Sequence, residues 1–323
     1  MAAAGAAGGV TEFAIWGWGR NDLGGTLGDG TTTNRSSPVQ MGDKSDWTSW
    51  DSSGWGGAAV NAAGELWVWG RNNLGQLGLG NTTSYSGDLG IGTTVAKSSP
   101  VQVGALTDWS SVAADGTGRA FAIKTDGTLW AWGEASDGRL GDGTTVNKSS
   151  PVQIGSLTTW VSVYSGDGMA GAINSSDQLW MWGVGTSGQL GNGAASNESS
   201  PVQVAGSWTP AGMGGSSVLA IKDGGTLWGF GDNSQGELGV GNTTNYSSPV
   251  QVGALTTWSK AQATQGSGIG IKTDGTLWSW GENGQGELGN GNTTDTSSPS
   301  QVGSDTDWLD LSGSTQFSTA SRG

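Results

Sequence analysis

A short aromatic motif that keeps returning constrains this chain more than anything else in it. Asp126-Gly-Thr-Leu-Trp-Ala-Trp-Gly133 recurs nearly unchanged as Asp274-Gly-Thr-Leu-Trp-Ser-Trp-Gly281. Looser copies are Gly64-Glu-Leu-Trp-Val-Trp-Gly70, Asp177-Gln-Leu-Trp-Met-Trp-Gly183, Gly225-Thr-Leu-Trp-Gly-Phe-Gly231 and Ile15-Trp-Gly-Trp-Gly19. The second aromatic falls at 18, 69, 132, 182, 230 and 280, so the spacings are 51, 63, 50, 48 and 50. Two other landmarks share that period. One is Ser-Ser-Pro-Val-Gln, beginning at Ser36, Ser98, Ser149, Ser199 and Ser247, with Ser297-Ser-Pro-Ser-Gln301 as its last form. The other is a lone tryptophan, at Trp47, Trp109, Trp160, Trp208, Trp258 and Trp308. Together with Trp50 and Trp55 these sets account for all 19 tryptophans, so tryptophan here is architecture first. Repeats of this size cannot bury their own faces and must stack into one body.

Within one repeat, short apolar or β-branched runs are separated by Gly, Asn and Asp. Trp109-Ser-Ser-Val-Ala113 and Ala120-Phe-Ala-Ile-Lys124 read as strands. Thr125-Asp-Gly-Thr128 reads as a tight hairpin in which Asp-Gly supplies positive φ, and Thr128-Leu-Trp-Ala-Trp132 as a third strand. Pro151-Val-Gln-Ile154 begins with proline, which cannot donate to a ladder, so it belongs at a strand start or an outer edge. Helical periodicity appears nowhere. Four short antiparallel strands per repeat of about 50 residues imply an all-β, six-bladed β-propeller. The two tryptophans of the motif lie two residues apart, so both face one side of the sheet. They are expected to fill the layer between neighbouring blades.

The repeats divide the single domain as 308–323 plus 1–42, 43–104, 105–155, 156–206, 207–253 and 254–303. The first is a composite blade. The run from Trp308 stops where the hairpin and its Leu-Trp-x-Trp should follow, and Thr11–Gly19 supplies that missing part, so one blade is expected to be shared between the termini. The repeat at 43–104 is enlarged by an insertion at about 79–96, read as a loop on one rim.

Composition closes off several kinds of chemistry. The chain has no cysteine and no histidine, which excludes disulfides, thiolate nucleophiles and imidazole acid–base catalysis. Its net charge is −14, with 13 Lys+Arg against 27 Asp+Glu, which argues against binding nucleic-acid phosphates. Charged residues make up only 12%, so the surface is expected to be rich in Ser, Thr, Asn and Gly. The sequence from Met1 to Val10 lacks the pattern of a signal peptide, and no apolar run is long enough to span a membrane, so synthesis in the cytoplasm is expected.

The motif and its sequel resemble a known repeat. Gly-Thr-Leu-Trp-x-Trp-Gly-x-Asn-x-x-Gly-Gln-Leu-Gly, followed by Ser-Pro-x-x-Val, is similar to the repeat of the regulator of chromosome condensation (RCC1) superfamily. Arg71-Asn-Asn-Leu-Gly-Gln-Leu-Gly78 and Glu282-Asn-Gly-Gln-Gly-Glu-Leu-Gly289 carry the likeness most closely. The resemblance implies an RCC1-like propeller, of the aromatic-rich, lysine-poor sort found in the prokaryotic and viral branch. The family's best-known members have seven blades, so six is a departure. Its members include a GTPase exchange factor, a plant ultraviolet receptor and a bacterial β-lactamase inhibitor, so the likeness specifies fold far better than function. This chain lacks the basic tail of the first and the arginines of the second.

No residue set suggests catalysis. Asp126, Asp177, Asp223 and Asp274 recur beside the hairpin, where Asp bonds its own backbone, and none forms a unique pair of acids. Gly28-Asp-Gly-Thr-Thr32 and Gly141-Asp-Gly-Thr-Thr145 offer oxygen ligands, but the equivalent acid becomes Asn192 and Val240 in other repeats, so no metal or other cofactor is expected. Residues that break the repeat are the better binding candidates: Tyr85, Asp88, Leu89 and Ile91 in the insertion, and Trp50 and Trp55. The reading is a non-enzymatic interaction or structural module, a component of a phage particle or a cell surface, whose partner is another protein or an assembly of subunits. A regulator, such as an exchange factor or enzyme inhibitor, is the alternative. A glycan-binding propeller using Trp50 and Trp55 is another.

Overall fold

The computed structural model describes residues 13–53, 56–72, 76–79, 96–114, 118–209, 212–222, 224–313 and 318–322. The chain forms two compact units, Met1–Ser165 and Gly166–Gly323. The first carries β1 (Trp16–Gly19), β2 (Arg35–Gln40), β3 (Trp47–Ser53), β4 (Gly56–Asn61), β5 (Leu66–Gly70), β6 (Lys97–Gln102), β7 (Trp109–Ala114), β8 (Arg119–Lys124), β9 (Leu129–Gly133), β10 (Lys148–Gln153) and β11 (Trp160–Ser165). The second carries β12 (Met169–Asn174), β13 (Leu179–Gly183), β14 (Glu198–Val204), β15 (Gly212–Gly214), β16 (Ser217–Lys222), β17 (Thr226–Gly231), β18 (Tyr246–Gln251), β19 (Trp258–Ala263), β20 (Ser267–Lys272), β21 (Leu277–Gly281), β22 (Thr296–Gln301), β23 (Trp308–Gly313) and β24 (Ser318–Arg322). Among the described residues the one helical element is a 3-10 turn at Ser136–Gly138.

Each repeat folds into consecutive antiparallel strands. In the first unit β3–β6 and β7–β10 form four-stranded sheets and β1 pairs with β2. In the second, β15–β18 and β19–β22 form four-stranded sheets, β12–β14 pair in sequence, and β23 pairs with β24. The sheet of β7–β10 shows the logic. Lone Trp109 lies opposite Lys124, while Ala122 and Ala120 lie opposite Trp130 and Trp132, so small residues make room for each indole. The hairpin differs from its expected form in one detail. Gly127 alone takes positive φ, at 77°, while Asp126 stays in the ordinary region and uses its carboxylate to hold the Thr128 N–H at 2.9 Å. Strand β10 begins at Lys148, ahead of the expected start at Pro151. Pro151 is accommodated because β10 is an outer strand whose register shifts between Lys148 and Val152.

The second tryptophan of the motif packs against a loop from the preceding sheet. Within the first unit, Trp132 is fully buried and its Nε1 donates to the Gln76 carbonyl at 3.0 Å. Within the second, Trp280 is fully buried and donates to the Glu237 carbonyl at 2.8 Å. A glycine presses on the ring in each case. A Cβ added at Gly239, whose φ is +74°, would lie 2.8 Å from Nε1 of Trp280. The same loop is tied by backbone: Gly241 N–H donates to the Ser297 carbonyl at 2.7 Å, as Gly193 does to Ser247. The Ser-Ser-Pro segment is therefore the dock for the glycine loop of the sheet before it. Each of these indoles removes roughly 150–250 Å² from water, up to roughly 4–6 kcal/mol at about 25 cal/mol per Å². This is how a chain poor in Leu and Ile builds a core, and it places the motif's second tryptophan between sheets, as expected.

Candidate partner-binding surface and lysine–tryptophan stacks

The copy of the motif at β1 departs from this pattern. Trp16 and Trp18 are 54% and 64% exposed, although Trp69, Trp132, Trp182 and Trp280 are fully buried at the position of Trp18. The reason lies in the neighbours. Among the described residues β1 pairs with β2 alone, and Gly17 between the two indoles is covered by Met41 and Leu27. Trp16, Trp18, Leu23, Leu27, Met41 and Trp50 line a cavity of about 520 Å³, with Arg20, Thr26 and Ser52 as its polar members. Arg20 is held at 2.6 Å by Asp22. A space of this size and lining matches the usual ligand or side-chain pocket.

Of the residues singled out in the sequence, Trp50 reaches this cavity. It is half-buried on β3, opposite Ala59, and packs against the buried cluster that Ile15, Met41, Trp47, Ala59 and Trp69 form. It thus has both a packing role and an accessible edge. Trp55, Tyr85, Asp88, Leu89 and Ile91 lie outside the described residues.

Sequence reading missed a second recurring arrangement. The first tryptophan of the motif meets the lone tryptophan edge to face: Trp109 with Trp130 at 6.0 Å, Trp208 with Trp228 at 6.5 Å, and Trp258 with Trp278 at 6.3 Å. A lysine at the end of the preceding strand lies over each pair. Lys124 Nζ is 4.7 Å from the Trp130 ring centre, Lys222 is 3.9 Å from Trp228, and Lys272 is 3.2 Å from Trp278. Such cation–ring contacts contribute about 0.5–2 kcal/mol. The signal was present as lysine six positions before the first tryptophan in three repeats, at 124 and 130, 222 and 228, and 272 and 278. Lys44 supplies the cation over Trp67 from elsewhere in its repeat.

The recurrent acids are engaged in turns. Hydrogen bonds from Thr128 and Thr276 hold the carboxyls of Asp126 and Asp274 below their ordinary value. In Gly28-Asp-Gly-Thr-Thr32, burial works to raise the Asp29 carboxyl, but hydrogen bonds from Thr31, Arg35 and Asn21 outweigh it and leave it lowered. Asp142 likewise accepts from Thr144 and pairs with Lys148 at 3.0 Å. Asn192 keeps the backbone bond, accepting from the Ala194 N–H at 3.0 Å, so that repeat needs no charge there. The family-type asparagine of the loop is structural as well. Asn233 and Asn283 are fully buried, accept from the N–H of Leu238 and Leu288, and donate across their own loops. Asp177 sits where Gly127 sits in its own repeat, at φ 58°, and Asp223 lies outside the described residues.

Strand pattern, glycine loop and buried asparagine together define the repeat. The RCC1 repeat signature (regulator of chromosome condensation) matches residues 63–117, 126–173, 176–221, 224–267 and 274–321. The chain belongs to the RCC1 repeat family. Its fold is the all-β, RCC1-like propeller that the sequence implied. The structure of Prp20p from Saccharomyces cerevisiae, described together with its binding properties to Gsp1p and histones, aligns with a TM-score of 0.78 over 95% of this chain and 77% of that one, at 19% identity. Human WBSCR16 aligns with a TM-score of 0.78 over 97% of this chain and 84% of that one, at 17% identity. By sequence, the ultraviolet-B receptor UVR8 of Arabidopsis thaliana is 30% identical over 145 residues, which is 43% of this chain and 29% of the receptor. The human E3 ubiquitin-protein ligase HERC2 is 29% identical over 86 residues, 27% of this chain and 2% of the ligase. The chain thus spans under a third of each of these two sequence relatives. Among the described residues no helix is long and apolar enough to cross a membrane.

Proposed function

We propose that this RCC1-family chain is a non-catalytic protein-binding module, and that it serves as a component of a phage particle or of a cell surface. One observation carries the reading. The motif's second indole, fully buried in four other copies, is exposed at β1 as Trp18, together with the first, Trp16, which is half-buried elsewhere, and both lie beside a half-buried third, Trp50. Exposed tryptophan grouped around a pocket is the usual chemistry of an interface anchor. Related structures support a protein partner: Prp20p is described with Gsp1p and histones, and yeast RCC1 as bound to Kap60. The Ser/Thr/Asn-rich sequence, with only 12% charged residues and a net charge of −14, suits a protein surface better than a phosphate backbone.

The test uses the full chain and a Trp16→Ser/Trp18→Ser variant, each mixed with purified phage particles and with intact bacterial cells and then sedimented. The reading expects the chain to travel with one of them. The variant should be lost from that pellet while keeping its melting temperature. A chain that stays in the supernatant in both mixtures contradicts the assignment to a particle or surface. Retention of the double variant in the pellet contradicts the choice of surface.

A further inference from the structure

The three lysine–tryptophan stacks are not equivalent, and the difference exposes a site. Lys124 is neutralised: Asp108, the residue before lone Trp109, lies 3.1 Å from its Nζ. The backbone fixes that relation, because the Thr125 N–H donates to the Asp108 carbonyl at 2.8 Å. In the repeat of β19–β22 the same bond runs from Thr273 to Thr257 at 2.7 Å, so Thr257 stands where Asp108 stands. Threonine brings no charge. Lys272 is nonetheless only 7% exposed, and among the described residues its ammonium makes no salt bridge and no hydrogen bond. The acid that acts on it, Asp274, accepts from the Thr276 hydroxyl at 2.6 Å. An ammonium partly withdrawn from water without an acceptor is disfavoured, since ring faces replace only part of its hydration.

The lysine borders a cavity. Lys272 lines a cavity of about 240 Å³ whose walls include Val240, Val252, Leu255, Trp258 and Pro299. Gly239, Gly241 and Gly253 contribute backbone to the same lining, so it is apolar apart from Lys272 and Ser298. The volume suits a small flat or branched group. We infer that this cavity is a binding site for a carboxylate on an apolar stem, with the Lys272 ammonium receiving the carboxylate in the place that Asp108 occupies beside Lys124. The stem would lie against Val240, Val252 and Leu255, and the indole of Trp258 would close one side. Two sources present this chemistry, a free aryl or branched-chain acid and a glutamate side chain of a partner protein. A charge-assisted bond formed in such partial burial is stronger than its counterpart in water. Burial, which with only Asp274 opposing it holds the Lys272 ammonium below its ordinary value, fits a cation that lacks its counter-ion.

Phenylacetate, its uncharged analogue phenylacetamide, and a capped tripeptide with a central glutamate are titrated into the full chain and followed by NMR. The site predicts saturable binding of phenylacetate or of the peptide, with phenylacetamide weaker by about tenfold or more, as loss of one charged bond requires. The acid alone points to a free small molecule, and a tighter peptide to a partner's side chain. Lys272→Met should weaken binding by a similar factor. Thr257→Asp, on an exposed residue, should do the same by supplying the missing internal carboxylate, with the melting temperature held or raised. Lys124→Met should leave binding unchanged. Equal binding of phenylacetate and phenylacetamide, undiminished binding in Thr257→Asp, or no saturation by either carboxylate overturns the site. None of these outcomes touches the β1 surface, so this site and the proposed function stand or fall separately.

Discussion

Strands β1 and β21 carry the same aromatic motif and put it to different use. In β21, Trp278 meets Trp258 edge to face and lies under Lys272, while Trp280 is fully buried and hydrogen-bonded to a loop carbonyl. In β1, Trp16 and Trp18 stand in solvent beside a cavity. The residues are alike, so the difference lies in the neighbours. Trp280 has Gly268 opposite it on β20 and the Gly239 loop against its ring, whereas β1 has only β2 beside it among the described residues. A motif that is mortar with a full set of neighbours becomes a candidate interaction surface without them.

The largest test of that contrast is truncation of one indole in each strand. Trp280→Ala should destabilise the chain by about 3–5 kcal/mol, because it leaves a large cavity between sheets. Trp18→Ala should change stability by less than about 0.5 kcal/mol, as expected for an exposed side chain. Urea unfolding midpoints measure both, and similar losses would erase the distinction.

A smaller effect probes the loop that seals the buried copy. Gly239→Ala forces a Cβ to 2.8 Å from the Trp280 ring at a positive φ, and should lose about 1–3 kcal/mol. Gly253→Ala, also at positive φ but with open space around it, should lose about 1 kcal/mol at most from backbone strain alone. Thermal unfolding of the pair separates ring contact from strain.

Much of this was legible in the sequence, and the reasons are physical. Asp126-Gly127 with alternating Leu129, Trp130, Ala131 and Trp132 dictates a hairpin and a one-sided pair of indoles, and the repeat period dictates stacking. The burial of Trp132 and Trp182 followed from those two facts. The exposure of Trp16 and Trp18 did not, because it depends on which strand lies beside β1 and leaves no mark within the motif. The lysine stacks are present in the spacing of Lys124 to Trp130, yet lysine ordinarily reads as surface, so the spacing alone does not mark them. Trp50 was singled out for lacking a counterpart, and its position at the cavity edge reflects that irregularity. The offset start of β10 shows a limit of another kind. Proline marks where a ladder hydrogen bond is missing, and a bulged outer strand tolerates that in mid-strand.

Replacing the cation of a complete stack should have an intermediate effect. Lys124→Met keeps the stem but removes the charge over Trp109 and Trp130, together with the Asp108 pair, and should lose about 1–2 kcal/mol in urea unfolding. A change within error would mean that the stacks are held by their stems alone.

The smallest effect depends on pH. Burial, with help from Asp232 and Glu282, pushes the Glu237 carboxyl above its ordinary value of 4.5, against the lowering effect of the hydrogen bond from the Gln235 N–H. The folded state therefore binds this proton more tightly than the unfolded state does. Its contribution to stability is favourable at low pH and is lost as pH rises from 4.5 through the folded value. Gln189 makes the equivalent bond, from the Ser187 N–H at 2.8 Å, without a charge. Glu237→Gln should accordingly raise the melting temperature at pH 7 and lose that advantage below pH 4.5. An advantage that grows on acidification would reverse the sign and refute the assignment.

The contrast between β1 and the buried copies is tested most directly by the solvent accessibility of individual indoles. Fluorotryptophan is incorporated throughout, signals are assigned with Trp16→Phe, Trp18→Phe, Trp132→Phe and Trp280→Phe, and a soluble paramagnetic agent is added during fluorine NMR. The account predicts that the Trp16 and Trp18 signals broaden strongly while those of Trp132 and Trp280 stay sharp. Four equally protected signals would contradict it, and would favour instead the blade shared between the termini that the sequence suggested.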